Sequence, residues 1–327
     1  MQKKLSLAIL GAGGIGCYYG ARLAGNGHHV CFIARGDHLT ALREKGLTIK
    51  HPDFDFHKAV DACDFDTFIR EHDPANFDAI VVCVKATATE EIAENIKRWF
   101  KASEQSTMII SLQNGIDNES QLASALDESL IIGGLALRIG GHIVRPGEVA
   151  ATGIAEIVLG AWPHADSPTD LRVAERLPAI IVAFNQSGIP TRKTDNIRRE
   201  LWRKLVINNG VNPLSALTGL DTRAMAYHPH FGPIVHHLME EAANMAIADD
   251  EPLSQRDADE MFELIRSFDP IKTSMLVDLE KGRPLELESI SGAVIERSKR
   301  INVPVPYTQT VYALLKHKTN PSVSRPA

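Results

Sequence analysis

The chain has 327 residues, of which 44% are hydrophobic and 23% charged, with a net charge of -6. This length exceeds what one hydrophobic core usually serves, so we expect a globular protein with two domains. The negative balance excludes the basic surface that nucleic-acid binding needs, and no stretch approaches the roughly 20 apolar residues of a membrane span. We therefore expect a cytoplasmic protein that binds a small molecule, with no nucleic-acid or membrane partner. The oligomeric state is left open, with a homodimer as one option.

Short β-rich runs alternate with helical stretches through the first half of the chain. The candidate strands are LSLAIL, HVCFIA, AIVVCV, MIISL, LIIGGLAL and AEIVLG. Parallel strands need crossover connections, so this alternation predicts a parallel sheet covered by helices. The later part has mainly helical patterns, over residues 234–248, 257–279 and 289–299. The predicted fold class is α/β, with a Rossmann-type parallel-sheet domain over residues 1–193 and an all-α domain over residues 194–327.

A glycine-rich segment directly follows the first candidate strand. Gly11, Gly13 and Gly16 form the spacing GxGxxG and open the helix CYYGARLAGNG. In this setting the first glycine permits a tight turn, the second lets the backbone approach a pyrophosphate, and the third lets the helix pack on the strand. The helix N-terminus then supplies an anion site. The sequence therefore predicts a dinucleotide site made of Gly11, Ala12, Gly13, Gly14, Ile15 and Gly16.

The end of the second candidate strand indicates which dinucleotide binds. In NAD enzymes an acidic residue at this place bonds the ribose 2'-hydroxyl. Here HVCFIA ends at Arg35, whose guanidinium would favour the extra phosphate of NADP through charge-assisted hydrogen bonds. Asp37 follows two residues later and is the competing choice. We expect NADP as the cofactor.

Two further polar residues follow buried candidate strands. Lys85 comes after AIVVCV, and Asn114 comes after MIISL in the segment SLQNG. Open α/β sheets bind ligands at the carboxyl ends of their strands. Both residues are therefore candidates for the cofactor site.

A polar stripe lies within the otherwise apolar segment LWRKLVINNGVNPL, residues 201–214. Lys204, Asn208 and Asn212 follow one another in steps of four, which on a helix places them within about 80 degrees of arc. Apolar residues cover the rest of the circumference, so the stripe must find partners. An ammonium group can stabilise and then protonate the oxygen of a ketone that receives a hydride. Lys204 is thus a candidate acid, and the two carboxamides are candidate substrate contacts.

These features together resemble the ketopantoate reductases, the 2-dehydropantoate 2-reductases of pantothenate biosynthesis. The resemblance spans nearly the whole length and rests on GAGGIG, ARGDHLTALREKGL, VVCVKA, QNG, WRKLVINNGVNPL and SMLVDLEKGRPLELESISG. It implies an NADPH-dependent oxidoreductase that reduces a 2-keto acid, with ketopantoate to pantoate as the leading case.

The resemblance also assigns roles to individual residues. The lysine matching Lys204 is the proton donor, and the asparagines matching Asn208 and Asn212 contact the substrate. Ser274, toward the end of the helix predicted over residues 257–279, matches a serine that binds the substrate carboxylate region. Glu286 matches a glutamate at the cofactor and substrate interface, which makes it the second catalytic candidate, with Glu288 as the competing carboxylate.

The cofactor positions of the family match the glycine loop, Arg35, Lys85 and Asn114, and Asn114 also matches a substrate contact. One departure concerns Asp221 and Thr222, because the family often has another asparagine in that region. A carboxylate pointing inward there would repel a keto acid carboxylate. A related reductase with another 2-keto acid substrate is therefore one alternative, and a noncatalytic NADPH-sensing protein is another.

A histidine cluster in the second half has the residue types of a metal site but no recognised metal spacing. Its members are His228, His230, His236 and His237, with Glu240 and Glu241 nearby. His237 and Glu241, four residues apart, are more simply a surface pair on one helix. The four cysteines lack CxxC spacing and are expected to be buried thiols. We expect no metal.

Overall fold

The computed structural model describes residues 3–100, 107–163, 171–267 and 269–319. The chain forms two compact units, one of Met1–Gln113 with Asn118–Ile197 and the other of Asn114–Asp117 with Arg198–Ala327. The four residues after Gln113 thus belong to the helical unit, although the chain on both sides of them belongs to the other.

The first unit is built on one mixed sheet. Within the described residues its strands are β1 Ser6–Leu10, β2 His29–Ile33, β3 Leu47–His51, β4 Phe54–Lys58, β5 Asp61–Cys63, β6 Ala79–Val82, β7 Met108–Ser111, β8 Ile131–Arg145, β9 Glu148–Ala161 and β10 Thr191–Lys193. The order is β4-β3-β9-β8-β7-β6-β1-β2-β5, with β10 beside β9. The central strands β1, β2, β6 and β7 are parallel and rich in buried Val, Ile and Leu, as expected where helices cover both faces.

Two hairpins depart from the parallel pattern. The pairs β3 with β4 and β8 with β9 are antiparallel. Only Pro146 and Gly147 connect β8 to β9, and so short a connection cannot carry the crossover that a parallel pair needs. The predicted α/β fold class is confirmed, with a mostly parallel sheet in place of a purely parallel one.

Helices of the first unit follow the strands. They are α1 Gly14–Gly25, α2 Gly36–Lys45, α3 Phe65–Glu71, α4 Thr89–Phe100, α5 Asn118–Ala125 and α6 Leu171–Gln186. The sheet curls around α1, which contacts β1, β2, β3, β8 and β9. Tyr18 and Tyr19 on α1 are consequently fully buried. Arg22 covers the ring of Phe54 on β4, with its guanidinium carbon 4.2 Å from the ring centre.

The second unit is helical. Its helices are α7 Ile197–Thr218, α8 Thr222–Ala226, α9 Phe231–Met245, α10 Gln255–Ser267, α11 Ser274–Glu280, α12 Ala293–Ile301 and α13 Pro306–Thr319, and a π-helical turn over Glu288–Gly292 leads into α12. Trp202, Leu205 and Val206 bury α7 in this core. A Cβ at Gly210 would lie 2.6 Å from Cγ of Met239, so the missing side chain allows α7 to pack closely on α9.

The helix predicted over residues 257–279 is wrong as a single element. Helix α10 ends at Ser267, and α11 begins at Ser274. Pro270 lies in the break, where it has no N–H for a helical hydrogen bond and disfavours helical geometry in Asp269 before it. No described helix is both long enough and apolar enough to cross a membrane.

A buried arginine fixes the short Asn114–Asp117 segment within the second unit. Both terminal nitrogens of Arg297 donate to the carboxylate of Asp117, and Nε donates to Asp249 at 3.0 Å. The side chain of Arg297 is only 8% exposed. Burial alone would lower the pKa of Arg297, but the two carboxylates outweigh it and raise the pKa above its ordinary value. The guanidinium therefore stays charged and holds the segment against α12.

Candidate active site

A cavity of about 320 Å³ lies in the first unit at the carboxyl ends of β1 and β2. Four of the predicted cofactor residues line it, namely Gly11, Ala12, Gly13 and Arg35. Gly14, Ile15 and Gly16 form the first turn of α1 directly behind them. The structure thus brings the predicted glycine loop and the end of β2 to one cavity.

The glycine loop has the steric properties that a pyrophosphate cradle needs. Gly11 has a φ of +101°, and a Cβ there would lie 2.7 Å from Cγ1 of Val84. A Cβ on Gly16 would lie 2.3 Å from the carbonyl oxygen of Gly11. At Gly13 a Cβ would meet nothing within 4 Å, so the backbone there faces open space. The residues present therefore fit a dinucleotide whose phosphates approach the backbone at Gly13.

The start of α1 adds the electrostatic part of the cradle. Gly13 is the N-cap residue and offers no side-chain cap, and the first turn of α1 contains no acidic residue. The N–H groups of a first helical turn have no acceptor within the helix, and the helix dipole favours an anion beside them. A phosphate can therefore satisfy these donors.

Arg35 and Asp37 differ in their relation to the cavity. Arg35 is the exposed N-cap residue of α2 and lines the cavity, and its guanidinium makes no hydrogen bond or ion pair with any residue in the described ranges. Asp37 is exposed in the first turn of α2 and, within the part of the chain that the structure describes, is not among the lining residues. The guanidinium is the group available to a ligand at this place.

Sequence reasoning missed several other residues of this cavity. His38, Asp64 and Phe65 also line it. Asp64 caps α3 by accepting the N–H of Thr67 at 2.7 Å, and this hydrogen bond, with that of the Thr67 hydroxyl, lowers the pKa of the carboxyl below its ordinary value. The signal that could have found this residue is the Asp before the helical run FDTFIRE, since Asp is a preferred N-cap.

Lys85 and Asn114 are not among the residues that line this cavity. Lys85 is half-buried and precedes the short 3-10 helix Ala86–Ala88, three residues after β6. Within the described residues it does not line the cavity of the glycine loop. Asn114 follows β7 by three residues and belongs to the second unit.

A hydrogen bond joins two of the predicted site residues in the second unit. Nδ2 of Asn114 donates to Oε2 of Glu286 at 3.0 Å. Glu286 is half-buried and lies two residues before the π-helical turn. The competing Glu288 is exposed and instead accepts from the Tyr312 hydroxyl and from Nζ of Lys316 at 2.6 Å. The contacts therefore favour Glu286 over Glu288 as the carboxylate beside Asn114.

The polar stripe lies on α7, which is one continuous helix over all three residues. Lys204 and Asn208 are half-buried, and Asn212 is 4% exposed. The side-chain carboxamides of Asn208 and Asn212 make no hydrogen bond with any residue that the structure describes. Neither carboxamide is used within the described fold, so both are available to an external partner.

The neighbouring Asn209 has a different role. It is fully buried, donates to the Leu238 carbonyl at 2.9 Å and to Oγ1 of Thr308 at 3.1 Å, and accepts from the Ser291 hydroxyl at 2.8 Å. These bonds tie α7 to the rest of the helical unit. The segment INNGVN thus contains one structural asparagine and two whose hydrogen-bonding capacity is unused.

Ser274 stands at the beginning of a helix, not toward the end of one as predicted. It is the first residue of α11 and is exposed, while Thr273 before it is buried and caps the helix by accepting from the N–H of Leu276. Among the described residues Ser274 makes no hydrogen bond to another predicted site residue.

Asp221 and Thr222 have structural roles. The carboxylate of Asp221 caps α8 by accepting the N–H of Ala224 at 2.8 Å. The backbone N–H of Thr222 donates to the carbonyl of Ile271, and its hydroxyl accepts the N–H of Ile271. The carboxylate of Asp221 is thus held by the start of its own helix.

The histidine cluster is a set of surface pairs. His236 bonds Asp259 at 2.8 Å, and Nδ1 of His237 bonds Glu240 at 2.8 Å. The predicted pair of His237 with Glu241 is wrong, because both oxygens of Glu241 accept backbone N–H groups at the start of α13. A carboxylate at a helix N-terminus is stabilised by the helix dipole, which explains the different partner.

Comparisons with known proteins cover both units. Residues 7–164 match the family described as "Ketopantoate reductase PanE/ApbA", and residues 196–319 match "Ketopantoate reductase PanE/ApbA C terminal". A 2-dehydropantoate 2-reductase of Pyrococcus abyssi (strain GE5 / Orsay) is 27% identical over 96% of this chain and 98% of its own.

Solved structures agree with this match. The crystal structure of 2-dehydropantoate 2-reductase from Methylococcus capsulatus is 31% identical, with a TM-score of 0.82 over 98% of this chain and 99% of that one. The ternary structure of D-mandelate dehydrogenase with NADH and anilino(oxo)acetate has a TM-score of 0.85 over 97% and 99% of the two chains, but at 22% identity it shows the fold alone. From the two family matches and the 31% identical relative, the chain belongs to the ketopantoate reductase family of NAD(P)-dependent oxidoreductases.

Proposed function

We propose that this protein reduces 2-dehydropantoate (ketopantoate) to pantoate with NADPH, as a step of pantothenate biosynthesis. The observation that carries the proposal is the pair of carboxamides, Asn208 and Asn212, that lack hydrogen-bond partners on the stripe of Lys204. A sensor of NADPH would not need this stripe. The names of the relatives support ketopantoate as the substrate.

Residues 1–193 act as the NADP-binding domain in this proposal, and residues 194–327 as the substrate domain. The glycine loop receives the pyrophosphate, and Arg35 pairs with the 2'-phosphate because its guanidinium is exposed and has no partner among the described residues. Lys85, Asn114 and Glu286 complete the set of cofactor contacts. NADPH, when bound, supplies the hydride that is transferred to the substrate carbon.

Lys204 supplies the proton. Negative charge develops on the keto oxygen during the reduction, and an ammonium group stabilises that charge and then protonates the oxygen. Asn208 and Asn212 orient the substrate through neutral hydrogen bonds, so they add no charge that would compete for its carboxylate. Ser274 contacts the substrate carboxylate region. Glu286 is the second catalytic residue of this proposal, and its carboxylate accepts a hydrogen bond from the side-chain amide of Asn114 at 3.0 Å.

The decisive experiment compares Lys204→Ala with Lys299→Ala. Lys299 is exposed on α12 and is a control for the loss of a lysine from a helix of the same unit. We expect Lys204→Ala to lower kcat/KM for ketopantoate by about 10²–10⁴-fold, the usual contribution of a general acid. NADPH affinity, measured by nucleotide fluorescence, should change little. Full turnover in Lys204→Ala would refute the assignment.

A second experiment tests the cofactor. Arg35→Ala should weaken NADPH binding by about 10–100-fold, the value of hydrogen bonds to a charged group, and leave NADH binding nearly unchanged. Asp37→Asn, changed two residues away on the same helix turn, is the matched control. If the Arg35→Ala variant bound NADPH as tightly as the unaltered protein does, the result would point to NAD as the cofactor.

A related 2-keto acid reductase with another substrate is the second candidate. The supporting observation is Asp221, which caps α8, so this region offers no free carboxamide of the kind that the family often has there. NADPH oxidation should be followed with a panel of 2-keto acids that includes ketopantoate. A higher kcat/KM for another member would select this candidate, and oxidation with none of them would favour an NADPH-sensing role.

A further inference from the structure

Two cysteines and a histidine converge at the edge of the sheet in the first unit. Sγ of Cys31 on β2 lies 3.6 Å from Sγ of Cys63 on the edge strand β5. A ring nitrogen of His72 and both sulfurs lie within 4.8 Å of one another. Cys31 and Cys63 are buried and His72 is half-buried. Three potential metal ligands thus share one small space.

The strand register explains this convergence. Cys31 pairs with Asp61, and Cys63 pairs with Ile33, so the two cysteines are diagonal neighbours on one face of parallel strands. His72 directly follows α3, which connects it to the end of β5. Its ring packs on Phe68 and Phe77, with centroids 5.1 and 5.6 Å away. The packing therefore fixes the imidazole beside the sulfurs.

The distances fit a thiophilic metal ion. Two thiolates on a tetrahedral Zn²⁺, each at about 2.3 Å, are separated by about 3.8 Å, close to the observed 3.6 Å. A disulfide would require the two sulfurs to approach to about 2.05 Å. Two sulfur ligands and an imidazole are the donor types that zinc prefers. The geometry is therefore nearer to that of a metal dithiolate than to that of a disulfide.

The charges around the cluster also suit a cation. Asp61 and Asp64 add carboxylates beside the sulfurs, and Arg43 adds one guanidinium, which donates to the carbonyl of Ala62 at 2.9 Å. The acidic side chains outnumber this arginine.

We propose that Cys31, Cys63 and His72 form a zinc site, with the thiolates and the imidazole as three ligands and a water molecule as the fourth. Binding of Zn²⁺ breaks the S–H bond of each protonated thiol, forms a Zn–S bond in its place, and releases the protons to solvent. No electron is transferred, so the site needs no redox partner.

The position of the site gives it a consequence for the cofactor cavity. β5 has only three residues and, among the described strands, pairs with β2 alone. Asp64 and Phe65, which follow Cys63 directly, line the cavity of the glycine loop. A metal bridge from β2 to β5 and to the end of α3 would hold both ends of this lining segment, so zinc should raise the melting temperature of the protein.

Metal titration of the chelator-treated protein tests the proposal. Cd²⁺ should produce a thiolate charge-transfer band that saturates at one ion per chain, and Zn²⁺ should displace it. Three substitutions, Cys31→Ser, Cys63→Ser and His72→Ala, should each weaken zinc binding by at least about 10-fold. Loss of a group that only supports a metal ligand already costs about that much. Cys83→Ala is the matched control, because burial raises the pKa of the Cys83 thiol to about 12 and it lies outside the cluster.

A second measurement uses the unaltered protein, so it does not depend on whether a substituted protein folds. Zn²⁺ should slow alkylation of Cys31 and Cys63, read by mass spectrometry of their peptides, much more than that of Cys17 and Cys83, which lie outside the cluster. Absence of metal binding at micromolar zinc, binding that survives loss of Cys31 or Cys63, or protection of all four cysteines alike would overturn the proposal.

Discussion

Replacement of Asn212 by leucine should stabilise the protein and impair its activity. Asn212 is 4% exposed, and its carboxamide has no hydrogen-bond partner among the described residues. Burial of such a group costs at most about 1–3 kcal/mol, because the polar atoms of Asn212 are not completely buried, and leucine has a similar size and a better helix propensity. We expect Asn212→Leu to raise the free energy of unfolding by about 1–2 kcal/mol. Loss of the proposed substrate contact should lower kcat/KM for ketopantoate by at least about 10-fold.

Asn209, on the same helix, is the matched control. Its carboxamide makes three hydrogen bonds, to Leu238, Thr308 and Ser291. Leucine at this position leaves all three partners unpaired in the core, at about 1 kcal/mol or more for each. Asn209→Leu should therefore destabilise the protein by about 3 kcal/mol.

Thermal melts and steady-state NADPH oxidation, measured on the same preparations, give both quantities. For a unit of this size, about 1 kcal/mol corresponds to roughly 2–4 °C in Tm, so the two variants should shift Tm in opposite directions. A lower Tm in Asn212→Leu would show that its carboxamide has partners within the fold. A higher Tm with unchanged kcat/KM would remove Asn212 from the substrate site.

Three further outcomes follow from other parts of the structure. Gly13→Ala should leave Tm nearly unchanged and weaken NADPH binding, because its Cβ would meet only open space, whereas Gly11→Ala should lower Tm through backbone strain and a clash. In urea unfolding, Arg297→Met should cost about 2–4 kcal/mol, because it removes the bidentate partner of the Asp117 carboxylate and leaves Asp249 with Arg300 alone of its two arginines. Burial opposes ionisation of Asp257, but hydrogen bonds from Ser254 hold the pKa of its carboxyl below the ordinary value. Its stabilising contribution should therefore be complete above about pH 4 and be lost as the pH falls through the folded pKa, so an Asn variant should show a shallower loss of stability in acid.

Local patterns in the sequence were sufficient for the parts of the fold that depend on neighbours in the chain. The glycine loop and the stripe on α7 were predicted because each is encoded within one turn or one helix. The edge strand Asp61–Cys63 was not predicted, because three residues have no detectable alternation and depend on β2 for pairing. The break in the helix predicted over residues 257–279 was signalled by Pro270, but the apolar spacing continued across it.

The candidate site shows the same limit. The sequence selected Asn208 and Asn212 by their spacing of four from Lys204, but it could not reveal the role of Asn209, whose partners come from residues 29 to 99 positions away. It left Glu286 and Glu288 as alternatives, and it could not reveal that Glu286 is the one bonded to Asn114. The proximity of Cys31, Cys63 and His72 likewise depends on strand register, which spacing in the chain does not reveal.

The curled sheet around α1 also bears on how the protein is made. Helix α1, which follows the glycine loop, is complete at residue 25. Strands β8 and β9, which cover it, extend from residue 131 to residue 161. A chain that leaves the ribosome N-terminus first has therefore made about half of its length before α1 can be enclosed. Until then Tyr18 and Tyr19 have no complete burial site. Nascent chains stalled before residue 131 should therefore be protease-sensitive and bind no nucleotide, whereas those that present residues 1–197 can close the sheet around the helix.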